Sequence, residues 1–382
     1  MNEIKLFFAG DFCSKPSTKG ITVSNELKSM IHSCDFKVVN FEVPLKPENT
    51  NLPPQKRERF FQHDDTPDFL RGLGFNLFSL ANNHAFDWGD EGFKKTKAAL
   101  TDAAFGAGTY EDAYRVKVVV INGVRIGFFA LSFAAYNGVF DDVTNQKGLG
   151  CAYINDLRVN HDIIEAKKRV DYLFILPHEG IEYIDVPMPE TIARYRDFID
   201  YGADGVIAAH PHCPQGWEEY KGKPIFYSLG NFLFNSKDGY DYRATNRPHW
   251  YEGLCVILTI SDGDLSWDVL NTRNVDNLGI EIDHEAKRDE HNNYLCDLLR
   301  NHSQYQAVLN KECHRLADNQ EIPIIDHSFH DKGLKTTVKL LIKYVIKYLM
   351  KKPRVNDREL GFLLKNDVRR KVLERGLELN RK

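Results

Sequence analysis

The chain has no CxxC pair, and its seven cysteines (positions 13, 34, 151, 213, 255, 296 and 313) are odd in number and scattered. That excludes a disulfide framework and fits a reducing compartment. It also lacks any run of about 20 apolar residues, so the sequence offers no candidate for a membrane-spanning helix. Charge of one sign is missing too. Fifty Lys and Arg against 54 Asp and Glu leave a net −4, with both signs mixed along the chain, and no nucleic-acid partner is expected. The opening MNEIKLFFAGDF carries one lysine and a short apolar run before an acidic residue. Neither a signal peptide nor an anchor is expected there, and the protein reads as cytoplasmic. Internal repeats and low-complexity segments are absent.

What is present suits a folded enzyme-sized domain. The chain has 382 residues, 42% of them apolar, enough for one large core plus an extension. Continuous apolar runs at 4–9, 36–41, 75–80, 172–176, 205–209, 224–229 and 254–260 read as buried strands. Runs at 115–121 and 124–131 flank Asn122-Gly123, the strongest short hairpin signal. Helices are expected near 25–32, 66–73, 90–104, 156–169 and 189–201. Strands that alternate partly with helices and pair partly as hairpins indicate a layered α/β sandwich rather than an all-parallel sheet. Residues 44–67, rich in Pro, Asn and charge, read as a long loop. With Lys56, Arg57 and Arg59 it is either an anion-reading lid or a solvated connector. Composition becomes more charged and helical after about Asn271, placing the expected domains at 1–270 and 271–382.

The strand ends carry the chemistry. The stretch 203–234 closes an apolar run on His210-Pro211-His212, and an extended H-x-H points both rings the same way. Other runs end in Asp11, in Asn40 with Glu42, in Asn83 with His84, and in His178. Each has a bland reading taken singly: a turn or cap for Asp11 and Asn83, a satisfied loop histidine for His84 and His178, a solvated carboxylate for Glu42. Five strand ends finishing in carboxylate, amide oxygen and imidazole together are the ligand types of a divalent metal site.

Five segments carry a resemblance: FFAGDF at 7–12, VVNFEVPL at 38–45, LANNHAFDWGDEG at 80–92, PHEGIEY at 177–183, and HPHCPQGWEEYKGKPIFYSLGNFLF at 210–234. Together they resemble the CapA family of capsule and poly-γ-glutamate synthesis proteins, itself similar to the calcineurin-like metallophosphoesterases. The resemblance spans about residues 4–260. It implies a four-layer α/β/β/α sandwich with one or two divalent ions (Mn, Fe or Zn) at one rim; the helical C-terminal extension is read from the composition beyond it. By the same resemblance Asp11 is a metal ligand, and Glu42 or Asn40 stands at the bridging position. Asn83, His178 and His210 would hold the second ion, and His212 the first. His84 would be the proton donor or charge stabiliser, with Asp87 orienting it. Glu179 or Glu182 would orient His178 or contact substrate, and Asn231 would contact substrate. Three departures from the phosphoesterase pattern stand out. Cys13 occupies the place of a histidine, Asn40-Phe41-Glu42 replaces an aspartate-rich loop, and Ala209 precedes His210 in place of glycine.

The resemblance implies a metal-dependent hydrolase of phosphoesterase type acting in capsule, exopolysaccharide or poly-γ-glutamate synthesis. Its substrate would be anionic or polymeric, either a phosphoester or polyglutamate-like. The alternative is a non-catalytic, metal-stabilised component that binds polymer or assembles the capsule machinery. Residues 338–352, VKLLIKYVIKYLMKK, place Lys339, Lys343, Lys347 and Lys351 at four-residue steps. This is either a helix docked on the protein or one lying on the inner face of an anionic membrane.

Overall fold

The computed structural model describes residues 3–52, 59–134, 138–140, 146–235, 247 and 249–319. The chain divides into two compact units, Met1–Tyr305 and Gln306–Lys382. The first unit opens with β1 (Ile4–Ser14), β2 (Thr22–Val23), α1 (Asn25–His32), β3 (Phe36–Phe41), α2 (Thr66–Gly72), β4 (Leu77–Ser79) and α3 (Gly89–Leu100). Next come β5 (Ala104–Phe105), β6 (Ala107–Gly108), α4 (Tyr110–Ala113), β7 (Lys117–Ile121), β8 (Val124–Ser132), β9 (Gly150–Cys151) and α5 (Leu157–Lys167). They are followed by β10 (Tyr172–His178), α6 (Pro189–Asp200), β11 (Gly205–Ile207), β12 (Trp217–Tyr220), β13 (Lys223–Phe226) and β14 (Asn231–Asn235). The unit closes with β15 (Glu252–Ser261), β16 (Asp264–Val275), β17 (Gly279–Ile282) and α7 (Ala286–Arg300). The last described element, α8 (His302–Asn319), runs from the first unit into the second.

Two sheets form the interior. One has nine strands in the order β2-β17-β16-β15-β1-β3-β4-β5, with β14 paired to β1; the other has six, β12-β13-β11-β10-β8-β7. β1, β3, β8 and β10 are apolar almost throughout, as strands covered on both faces must be. Their rings interleave between the sheets, with Phe8 at 6.2 Å from Phe128 and 5.9 Å from Phe174. Truncating such a phenylalanine costs about 3–5 kcal/mol. Leu27 and Ile31 of α1 and Leu70 of α2 join the core with the first sheet, while α5 and α6 bury Val159, Ile163, Tyr195 and Phe198 on the side of the second. The result is the expected four-layer α/β/β/α sandwich. The hairpin also forms as expected, with Asn122 at φ 50° and Gly123 at φ 84° supplying its two positive-φ positions.

The boundary expected at 270/271 falls inside β16, because the compact unit continues to Tyr305. β16 alternates exposed and half-buried residues along DLSWDVL, so its solvent face supplies charge that imitates a change of domain. Beyond it come the strand β17, paired with β16 in the same sheet, and then the helices α7 and α8. Residues 320–382, including the basic stripe at 338–352, lie outside the described residues, as do Lys56 and Arg57 of the long loop.

Candidate metal centre

β1 does not stop at Gly10. It continues through Asp11 to Ser14, and its pairing register shifts there against both β3 and β14. Before the shift β1 pairs with β15 through Ala9; after it the neighbour on that side is β14. This exchange of partners opens the sheet at Asp11, as bulges beside functional sites commonly do. Gly10 is required by close approach, since a Cβ there would lie 2.0 Å from the Gly230 carbonyl oxygen. That carbonyl instead accepts the Asp11 N–H at 2.9 Å. The Gly-Asp of β1 and the Gly-Asn that starts β14 are thus two halves of one junction.

Around Asp11 the other strand ends converge. Its carboxylate accepts hydrogen bonds from Asn40 Nδ2 at 2.6 Å and from the His210 N–H at 3.1 Å. Asn40 Nδ2 also lies 3.1 Å from His178 Nδ1. His178 Nε2 in turn sits 2.8 Å from Asn83 Oδ1 and 3.1 Å from His210 Nδ1. His212 Nδ1 is 2.9 Å from Asn231 Oδ1, which leaves Nε2 directed inward, 3.7 Å from Glu42 Oε1. All these residues are buried.

Glu42 is the exception in this network. It is fully buried, yet neither carboxylate oxygen has a hydrogen-bond partner. Nε2 of His178 and of His212 stand 3.7 Å from its Oε1, and that of His84 at 4.0 Å. These distances are too long for hydrogen bonds. Burial, and then the charge of Asp11, push the Glu42 pKa well above the ordinary carboxylate value. Burial likewise drives His178 and His210 well below the ordinary imidazole value, which keeps their lone pairs free of protons. Two overlapping sets of ligand atoms result, Glu42 with His210 and His212, and Asp11 with Glu42 and His178, each within 4.8 Å. A buried carboxyl group without a partner, facing neutral imidazoles, is an arrangement that a divalent cation completes by taking the place of its proton, so the residues present fit the expected metal.

His84 occupies the outer edge. Its Nδ1 is 2.8 Å from Asp87 Oδ2. Burial opposes a charged ring, but the Asp87 carboxylate, by charge and hydrogen bond, more than offsets it, and the His84 pKa rises. The Phe60 ring meets His84 edge-on at 5.4 Å.

The histidine pair converges differently from the extended geometry expected. His210 has φ 108° and His212 φ 57°, with ring centroids 5.9 Å apart. They lie beyond the end of β11 in a left-handed loop, a backbone cost that surrounding structure must hold in place. Asn231 is sealed inside, its Oδ1 accepting from His212 Nδ1 and its Nδ2 donating to the Trp250 carbonyl, both at 2.9 Å. It therefore orients a ring and does not face solvent. Glu179 is buried, and its charge, after burial itself, raises the pKa of the Tyr195 hydroxyl in α6. Glu182 is half-buried, and its charge is felt at Glu42, His84 and His210. Cys13 is buried with Val43, Phe234 and Trp250, and burial raises its thiol pKa well above ordinary.

Sequence reasoning missed several supporting residues. Asn82 ties the third strand end to the second by donating to the Phe41 carbonyl at 3.1 Å while its Oδ1 accepts the His84 N–H at 3.1 Å. Gln62, in the long loop, donates to the carbonyls of Phe12 and Glu42 at 2.7 and 2.9 Å. This part of the loop is anchored to the site rather than solvated. Trp250 and Phe234 wall His212 at 5.0 and 4.7 Å. Asn82 was legible as half of an Asn-Asn pair; a lone glutamine or tryptophan in a polar stretch carries no such signal.

Residues 5–236 match the family described as "Bacterial capsule synthesis protein PGA_cap". The chain belongs to this family. Similar capsule synthesis proteins include the capsule biosynthesis protein CapA of Bacillus anthracis, 29% identical over 223 residues, covering 56% of this chain and 54% of that one. The PGA biosynthesis protein CapA of Bacillus subtilis is 29% identical over 215 residues, covering 55% and 56%. The chain thus spans about half the length of the curated relatives it matches. Among solved structures it is similar to a novel phosphatase from Mycoplasma pneumoniae, with 16% identity, a TM-score of 0.43, and coverage of 71% of this chain and 94% of that one. No helix among the described residues is long and apolar enough to cross a membrane.

Proposed function

We propose that this capsule-family protein is a metal-dependent hydrolase of phosphoesterase type. The observation that carries the reading is Glu42, a buried carboxylate without a hydrogen-bond donor, faced by imidazole nitrogens of three histidines. Asp11, Asn83, His178, His210 and His212 would hold one or two divalent ions (Mn, Fe or Zn) with Glu42 shared between them. Asn40 is spent on orienting Asp11 and His178. A bound divalent ion supplies Lewis-acid charge for an anionic phosphoryl group and acidifies water.

The chain's own residues do the rest. Asn231 fixes the tautomer of His212. Asp87 pairs with His84 Nδ1 and raises the ring's pKa, so His84 would give a proton from Nε2 to the departing oxygen as water attacks phosphorus in line. Water adds to phosphorus, the ester P–O bond breaks, and an alcohol and a phosphate leave. Glu182, half-exposed beside the site, is placed to contact a substrate; buried Glu179 and Asn231 act through neighbours. The polymer would be an anionic capsule or polyglutamate precursor.

A second reading, a metal-stabilised component that binds polymer without turnover, draws on how completely the ligands are buried. One experiment separates the two. Metal content of purified protein is measured beside hydrolysis of an aryl phosphate ester with manganese, zinc or iron. Turnover that His84→Ala abolishes while metal stays bound supports the hydrolase. Metal bound without turnover on phosphoester or glutamyl-amide substrates supports the second reading. Absence of metal overturns both.

A further inference from the structure

A second group of metal-ligand side chains lies outside the centre just described. Asp185 comes from the loop after β10, His249 from the loop before β15, and His291 from the second turn of α7. The three are far apart in sequence, yet each offers a ligand atom within 4.8 Å of the others. His249 Nε2 is 3.5 Å from Asp185 Oδ2, and His291 Nε2 is 4.0 Å from the same oxygen. Ligands about 2.1 Å from a tetrahedral zinc ion are about 3.4 Å from one another. The two rings lie together, centroids 4.6 Å apart.

A supporting shell is already built. His249 Nδ1 is 2.6 Å from Glu252 Oε2, which directs Nε2 towards Asp185. Glu252 is itself paired with buried Arg288. A carboxylate behind a ligating imidazole, fixed in its turn, is the usual second layer of a zinc site. All three side chains are about one-quarter to one-third exposed, which leaves an approach for an ion and for a further ligand.

We propose that Asp185, His249 and His291 form a second divalent-cation site, of zinc type, that clips α7 to the loops flanking the main centre. His249 adjoins Trp250, whose ring walls His212 and whose carbonyl holds Asn231. The clip therefore braces that wall from behind.

The site is tested in the full-length chain with His178→Ala and His212→Ala, which takes one ligand from each of the main centre's two sets. After loading with zinc and washing, this background is expected to retain one equivalent, and adding His291→Ala is expected to remove it. A background without zinc, or an unchanged count in the triple variant, overturns the proposal. Should these variants fail to fold, cobalt(II) titration of the wild type against His291→Ala alone decides. The expected result is loss of one set of tetrahedral visible bands, and identical spectra overturn the site. Neither arm depends on whether the Glu42 centre is catalytic.

Discussion

Two clusters of histidine and carboxylate share one compact unit and treat charge in opposite ways. Around Glu42 everything is buried and the central carboxylate has no donor. Around His249 the groups are partly exposed, and Glu252 is matched by both His249 and Arg288. Each set offers three ligand atoms within 4.8 Å, two overlapping sets around Glu42 and one at His249, so the geometry of a single set does not distinguish them. Uncompensated charge does. A buried ion without a partner costs several kcal/mol, so Glu42 either keeps a proton, as its raised pKa indicates, or takes a cation, whereas the second cluster's carboxylate is matched without one.

The largest effects test the first cluster. Glu42→Gln removes both the proposed bridge and the orphaned charge. Hydrolysis should fall to background and metal content should drop. In chelator, however, the variant should be more stable than equally chelated wild type, by about 1–3 kcal/mol, read from urea unfolding. A chelated variant less stable than wild type would show that Glu42 is satisfied in some other way and would erase the contrast between the clusters. Next in size, His84→Ala should cut turnover by about 10²–10⁴, or about 3–5 kcal/mol in the barrier, with metal content unchanged by elemental analysis. Metal lost along with activity would make His84 a ligand.

The contrast also explains what could be read from the sequence. The layered sandwich and the Glu42 cluster were legible because each ligand ends a continuous apolar run, and such runs mark buried strands. The extent of β1 was not, because Gly10-Asp11 reads as a stop while the structure uses it as a bulge opposite Gly230. The left-handed turn at His210 and His212 was equally hidden, since H-x-H looks extended until the surrounding packing overrides it. The His249 cluster left no trace. Its three members come from two loops and a helix, none ends a strand run, and only folding brings them together. Arg288 shows why the boundary expected at 270 falls inside the unit: this charged residue beyond β16 is spent on Glu252 of β15.

A smaller effect sharpens how the first cluster is held. Asn231→Ala deletes the group that fixes the His212 tautomer. It should weaken metal binding by about 10–100-fold, measured by competition with a chromophoric chelator, while leaving His249-side zinc untouched. Equal weakening at both sites would mean that the Asn231–Trp250 contact links them as one unit.

The smallest expected effect, about 1 kcal/mol per pH unit and proton, separates the clusters by sign. In metal-free protein the Glu42 pKa is raised above its ordinary 4.5 by burial and by Asp11. The folded state then holds a proton the unfolded state has lost, so this group's contribution falls as pH rises above 4.5. Glu252 is the reverse. Burial opposes its ionisation, but His249 and Arg288 prevail and lower its pKa below 4.5. Its contribution is present above 4.5 and is lost as pH falls through the folded value. His178 and His210, kept neutral by burial, tilt the same window upward with pH, so the wild-type slope alone decides nothing. The difference between proteins does. Under chelation, the advantage of Glu42→Gln over wild type should grow as pH rises from 4.5, whereas the cost of Glu252→Gln should shrink as pH falls below it. Thermal unfolding of the three proteins across pH 3–7 (about one-unit steps suffice for this slope) reads both trends, and parallel curves for wild type and Glu42→Gln would place an unseen donor beside that carboxylate.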